Sequence, residues 1–402
     1  MAGIIKFPKK NKETDDTQPK VKWSYKDRIR SHKMVIIYRL VLAVVLIAAV
    51  TVAAYLQSRN RSYEVCEVLS SQDNHSIRTE NQLDLDGYIL SYGMDGAACV
   101  DSTGAAVWNI TYQMQEPLIS VQGNMAAIGD YGSRTVYLVN TSGSVGQITT
   151  TLPIYKFCIS SSGEIAVVLG DTDVTWIYLY NMKGDILAYF KTTMRQSGFP
   201  LDLTISPNGK LVGVSFAYVD SGEMRSRVAF YNFGDVGQNE TDNYVSGYDY
   251  IGVVIPSICF MDNETAYAVA DDRIMFYRGA EKPVSVAEHL VSDEIQKVFY
   301  DEDNVALVFF SDQAEYRNRI ELFDKSGNLV DSRETTMEFR GLIMKDNVVY
   351  VYSESRALIF RVGGVTVYDG TLPRSTYLLV PGRRVNRFTT INSATVDMVT
   401  LR

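Results

Sequence analysis

From Leu83 to the C-terminus the chain repeats one arrangement of apolar and polar positions. A short apolar run meets a tight polar turn, an alternating strand follows, and a second turn rich in Gly closes the phrase. The clearest copies are Ile159-Ser160-Ser161-Ser162-Gly163-Glu164-Ile165-Ala166-Val167-Val168 and Ile205-Ser206-Pro207-Asn208-Gly209-Lys210-Leu211-Val212-Gly213-Val214. Weaker ones lie at 121–128, 260–269, 300–308 and 343–352. The turn residues Gly123, Gly163, Gly209, Asn263, Asn304 and Asn347 are spaced by 40, 46, 54, 41 and 43 residues. Four short strands per repeat of roughly 40 to 50 residues predict the blades of an all-β propeller. Alternation in Val136-Tyr137-Leu138-Val139 and Arg319-Ile320-Glu321-Leu322-Phe323-Asp324 supplies further strands, and Ser142-Gly143, Lys183-Gly184-Asp185 and Gly363-Gly364 supply hairpin turns.

On this pattern the propeller occupies 83–402, with blades at 83–115, 118–150, 154–192, 200–237, 255–288, 294–335 and 338–371. A last piece, 376–402, holds two or three strands. The ring has seven blades if that piece completes the first blade, and eight if it stands alone. Either way, closure removes free sheet edges. The segment 234–256 stretches one interval to 54 residues and is the expected partner-facing loop.

A different pattern precedes the repeats. Leu40 to Leu56 (LVLAVVLIAAVTVAAYL) carries no charge, and with Met34 to Tyr38 the apolar stretch is interrupted only by Arg39. That length spans a bilayer, so 34–56 is expected to be a transmembrane helix in contact with lipid through Leu40 to Leu56. Residues 1–39 hold 11 Lys or Arg against four acids, a net of +7, whereas the rest of the chain holds 28 against 43, a net of −15. Basic flanks stay inside, which predicts a cytoplasmic tail over 1–33 and an extracytoplasmic propeller. Residues 57–82 read as a charged connector.

Composition argues against several chemistries. Only His32, His75 and His289 are present, one each in the tail, the connector and a variable region. None can serve as the base of a hydrolytic triad on this layout. Gly213-Val214-Ser215-Phe216-Ala217, the nearest approach to a nucleophile elbow, lies within a strand. Cys66, Cys99, Cys158 and Cys259 show no metal-type spacing, so neither a metal nor another cofactor is expected. Cys158 and Cys259 fall at equivalent repeat positions, where Thr204 sits in a third copy. No phosphate-binding glycine loop occurs, and a −15 ectodomain is a poor partner for nucleic acid.

Two groups of residues remain as candidate contacts. Arg383, Arg384 and Arg387 reverse the local sign of charge after Pro381-Gly382 and suit lipid headgroups or an acidic partner. Tyr244, Tyr248 and Tyr250 lie in the long 54-residue interval, and Tyr is enriched at protein interfaces.

The segment DGAACVDSTGAAVW (95–108) resembles repeats of quinoprotein-type and outer-membrane assembly propellers, and Ser206-Pro207-Asn208-Gly209-Lys210 is similar to turns of TolB-like and WD-type propellers. The basic tail, single span, DSTGAAVWN, Thr151-Leu152-Pro153-Ile154, Phe230-Tyr231-Asn232-Phe233-Gly234-Asp235-Val236-Gly237 and Pro381-Gly382-Arg383-Arg384 together resemble membrane-anchored propellers of Gram-positive bacteria, a family of unknown function. The resemblance implies topology and carries no catalytic residues. The expected function is a non-catalytic, membrane-anchored module that binds a protein or envelope component. The alternative is an extracytoplasmic enzyme acting on glycan or cell wall through paired carboxylates at the propeller channel.

Overall fold

The computed structural model describes residues 25–74, 81–171, 174–193 and 197–402. The Lys-rich tail up to residue 24 and His75 therefore lie outside the described residues. The chain divides into two units, 1–61 and 62–402.

In the first unit a single helix runs from Tyr25 to Arg59. Its segment Lys33–Ala53 is long and apolar enough to cross a membrane, and none of it is buried within the protein.

The second unit consists of eight four-stranded antiparallel sheets. Seven are continuous in sequence, at 82–111, 117–149, 154–192, 199–251, 257–290, 295–335 and 341–371. The eighth joins Leu378–Pro381, Arg387–Ile391 and Thr395–Leu401 to a fourth strand from the other end of the propeller, Cys66–Asp73. Cys66 pairs with Leu401 and Asp73 with Thr395. Thus the C-terminal piece forms its own blade, which settles the count at eight. The segment 57–82, read as a connector, contains the strand that closes the ring.

Burial explains why the blades form. Second strands are packed on both faces, as in Met125–Asp130, Ile165–Gly170 and Val348–Tyr352, so they read as unbroken apolar runs. Fourth strands such as Ala106–Thr111 and Val284–Leu290 are largely exposed. Hydrophobic clusters lie between neighbouring blades, as where Ala166, Val168 and Ile177 of the third blade meet Leu203, Ile205 and Val214 of the fourth.

First strands of adjacent blades touch one another, which places them around the central channel. They are also stitched by side chains. The Ser120 hydroxyl accepts the Ile159 N–H at 3.1 Å, and the Thr204 hydroxyl accepts the Phe260 N–H at 3.0 Å. Register puts Ser120, Thr204 and Cys259 at one equivalent position, each opposite the third residue of its second strand. The position selects a small side chain able to face the next blade's backbone.

The alternation of strand direction sorts the turns. Hairpins between first and second strands and between third and fourth strands lie on one face of the ring. Hairpins between second and third strands lie on the other, together with the links between blades.

The fourth blade departs from the expected boundaries. Its last strand, Tyr244–Ile251, falls within the segment expected to be a partner-facing loop. The rest of that segment makes short 3-10 turns at Gly237–Asn239 and Thr241–Asn243. These turns are tied to the fifth blade: Lys282 pairs with Glu240 at 2.6 Å, and Asn232 Nδ2 donates to Glu281 O at 2.8 Å.

Candidate functional site

The three arginines are brought together. Pro381 ends the first strand of the eighth blade and Arg387 begins the second. The turn between them is closed by Gly382 N–H to Arg387 O at 2.9 Å and Arg387 N–H to Arg384 O at 2.8 Å. Gly382 is required here, because a Cβ would lie 2.5 Å from Arg387 O. Asn386 O accepts the Leu401 N–H at 2.9 Å, which fastens the turn to the third strand of the blade.

This turn forms one wall of a cavity of about 840 Å³. Other walls come from the first blade, with Asp86, Gly87 and Tyr88 in one hairpin and Asp101 and Ser102 in another, and from Lys345 of the seventh blade. Pro381, Phe388 and Met398 add apolar surface. All of these hairpins turn on the same face of the ring. The chain also joins the ring there, since Cys66 pairs with Leu401 beside the arginine turn.

The charges of the cavity are unequally matched. Among the described residues, Arg383, Arg384, Arg387 and Lys345 have no ion-pair partner within bonding distance. Asp101 is committed to its own turn, where Oδ1 accepts from Thr103 N–H at 2.8 Å, Thr103 Oγ1 at 2.6 Å and Ala105 N–H at 3.0 Å. Against burial, those bonds hold its carboxyl below the usual range. Lys345 stands alone at a hairpin end in the sequence, and packing of the seventh blade's first strand beside that of the eighth brings it to the arginines.

The tyrosines behave differently. Tyr248 donates its hydroxyl to Pro283 O at 3.1 Å, and the hydroxyls of Tyr250 and Tyr277 lie 2.7 Å apart. Both rings pack against the cluster between the fourth and fifth blades. Tyr244 stacks edge-on against Tyr231 at 5.8 Å yet keeps 41% of its surface exposed. Of the three, Tyr244 is the most exposed.

A feature absent from the sequence reading lies on the opposite face. Strands Leu211–Asp220 and Glu223–Asn232 are ten residues each, longer than the five to seven of second strands in most blades, and their hairpin overhangs the ring. Val219 pairs with Met224, and Phe199 pairs with Ala217, so Phe199, Val219 and Met224 share one face. Val219 is 67% exposed and Met224 43%. The signal was the Ser221-Gly222 turn between alternating residues, which the longer repeat interval obscured.

Among the described residues, the first strands do not assemble paired carboxylates. Across the eight first strands the only acids are Asp84 and Asp202, three blades apart. Asp84 accepts the Gly87 N–H at 2.7 Å. Asp202 accepts from Ile258 N–H at 2.9 Å and Lys156 Nζ at 2.7 Å, while burial raises its pKa against the pull of Lys156. The four cysteines are free thiols. Burial pushes Cys66 and Cys99 up to about 11 and Cys259 to about 12, with Cys158 also well above normal. Such thiols are protonated at neutral pH and poor nucleophiles. No group of three or more His, Cys, Asp or Glu able to hold a metal occurs among the described residues.

Ring and surfaces together define a closed eight-bladed propeller. The chain belongs to DUF5711, a family of unknown function, whose profile matches residues 59–401. None of the curated proteins matches it. Among solved structures it is similar to BamB from Moraxella catarrhalis, at 11% identity over 84% of this chain and 100% of that one, with a TM-score of 0.50. It is also similar to apo AztD from Citrobacter koseri, at 9% identity over 73% of this chain and 86% of that one, with a TM-score of 0.48. At such identities the likeness is one of fold.

Proposed function

We propose that the protein is a single-pass, membrane-anchored propeller held outside the cytoplasm, where it acts as a non-catalytic binding or scaffold module for a protein or envelope component. The overhanging hairpin of the fourth blade carries this reading. It places Val219 and Met224 in solvent, sharing a face with Phe199 of the first strand, on the face opposite the one where the chain arrives, where apolar exposure brings no benefit to the isolated ring. The apolar segment Lys33–Ala53 supports the anchor. The +7 leading segment and the −15 remainder support an internal N-terminus. A rigid ring with a projecting apolar tip suits a partner that is held rather than transformed.

The test is site-specific photo-crosslinking from Val219 and Met224 of the full chain in its native membrane, with Lys183, on the other face, as control. A reproducible neighbour is expected from the tip alone, and Val219→Asp with probe at Met224 should abolish it. Equal labelling from Lys183, or no reproducible neighbour, would count against the scaffold reading.

A further inference from the structure

We propose that the cavity ringed by Lys345, Arg383, Arg384 and Arg387 is a binding site for a phosphate ester. The inference goes beyond the scaffold reading and does not depend on it, because it concerns the opposite face and a different kind of ligand.

Charge is the first argument. In a segment with 28 basic and 43 acidic residues, cations readily find acids, and many elsewhere on the ring do. Arg227 pairs with Asp249 at 2.7 Å, Arg273 with Asp272 at 2.7 Å, and Arg374 with Asp397 at 2.9 Å. The four cations of the cavity have no such partner among the described residues, although they come from two blades and face one space. With Asp86 and Asp101 counted, the lining carries a net of +2. Like charges gathered against their mutual repulsion are stabilised by a multivalent anion.

Geometry narrows the anion. A carboxylate offers two oxygens in a plane, and one arginine fork satisfies both. Four separate donor groups match a tetrahedral group with three free oxygens and a charge of about −1.5 to −2. The cavity, at about 840 Å³, exceeds the needs of bare phosphate. Pro381, Phe388 and Met398 form an apolar wall that suits the alcohol half of an ester. The arginine turn is held by its own backbone bonds and by Asn386, so the backbone that carries the donors is formed before a ligand arrives. Either a phospholipid headgroup or a soluble phosphate ester carries this chemistry.

The experiment uses the full chain in neutral detergent. Calorimetric titration with glycerol phosphate reads the soluble source. Native mass spectrometry with phosphatidylglycerol against phosphatidylcholine reads the lipid source. Saturable binding is expected in at least one arm. Arg383→Glu/Arg387→Glu should weaken it tenfold or more, whereas Lys183→Glu/Lys325→Glu, an equal charge change outside the cavity, should leave it within twofold. Lys345→Gln, on a different blade, must weaken the same ligand severalfold, which separates loss of the site from damage to the arginine turn. Dependence on these residues in the titration assigns a soluble ester; dependence only in lipid retention assigns a headgroup. No saturable binding in either arm, binding indifferent to the substitutions, or stronger binding of a Glu-rich peptide than of both phosphates would overturn the proposal.

Discussion

Replacing Arg374 should loosen the ring at its closure. Arg374 lies in the link between the seventh and eighth blades, and its Nη1 donates to Asp397 Oδ1 at 2.9 Å, to Oδ2 at 3.2 Å and to Ser71 Oγ at 2.9 Å. Asp397 is 1% exposed, and its remaining side-chain donor is the Thr395 hydroxyl at 3.1 Å. Arg374→Ala therefore strands a buried carboxylate and breaks a direct tie to the closing strand. Loss of one partner of a fully buried pair costs about 3 to 5 kcal/mol. Arg374 is itself 47% exposed, so water reaches the site and the expected cost falls to about 2 kcal/mol. For a domain of this size that is a drop in Tm of about 2 to 4 °C. Thermal unfolding of the full chain in detergent, followed by tryptophan fluorescence, measures it. Hydrogen exchange should rise first at Cys66–Asp73 and Thr395–Leu401. Adding Asp397→Asn removes the stranded charge and should recover at least half of the loss. A Tm for Arg374→Ala within about 1 °C of the parent, or a double variant no better than the single, would refute this account of the clasp.

Three further outcomes are expected. Thr204→Val leaves the Phe260 N–H without its acceptor between the fourth and fifth blades, and should cost about 1 to 2 kcal/mol in urea unfolding with an unchanged m-value. Gly382→Ala forces a Cβ to within 2.5 Å of Arg387 O, and should lower Tm while shifting the amide signals of Arg384 and Arg387. Asp202 has its pKa raised by burial, so the folded state holds this proton more tightly than the unfolded chain. Its contribution is complete below the unfolded value of about 3.9 and is lost as pH rises through the raised folded value. Relative to Asp202→Asn, the parent should therefore gain stability as pH falls through that window; a difference independent of pH would contradict the burial argument.

How much was legible in the sequence follows from where each strand sits. Second strands such as Ile165–Gly170 are buried on both faces and announce themselves as apolar runs, so most blades are bounded within a few residues. Fourth strands are solvated along much of their length. Tyr244–Ile251 was hidden in a presumed loop and Cys66–Asp73 in a presumed connector, because neither carries the apolar signature of its inner neighbours. The arginine cluster was visible as a run of charge. Its cavity was not, since Lys345 meets it through the packing of neighbouring blades, and Asp86 and Asp101 only through the closed ring. The tyrosines carry a mixed signal in sequence: half-buried strands favour Tyr as interfaces do, and Tyr248 and Tyr250 pack against the cluster between the fourth and fifth blades.

The way the eighth blade is assembled gives the propeller a clock. Asn74, at the end of the closing strand, donates through Nδ2 to Asn392 O, 318 residues further along the chain. During synthesis Cys66–Asp73 is among the first parts of the ring to be made and the last to find its neighbour. Until Thr395–Leu401 exists, its edge stays unpaired, and the seven other sheets can each form locally without it. A chain cut short by even its last strand would leave that waiting edge permanently open. Closure of the ring thus waits on the pairing of two strands from opposite ends of the propeller, the earlier of which follows the helix.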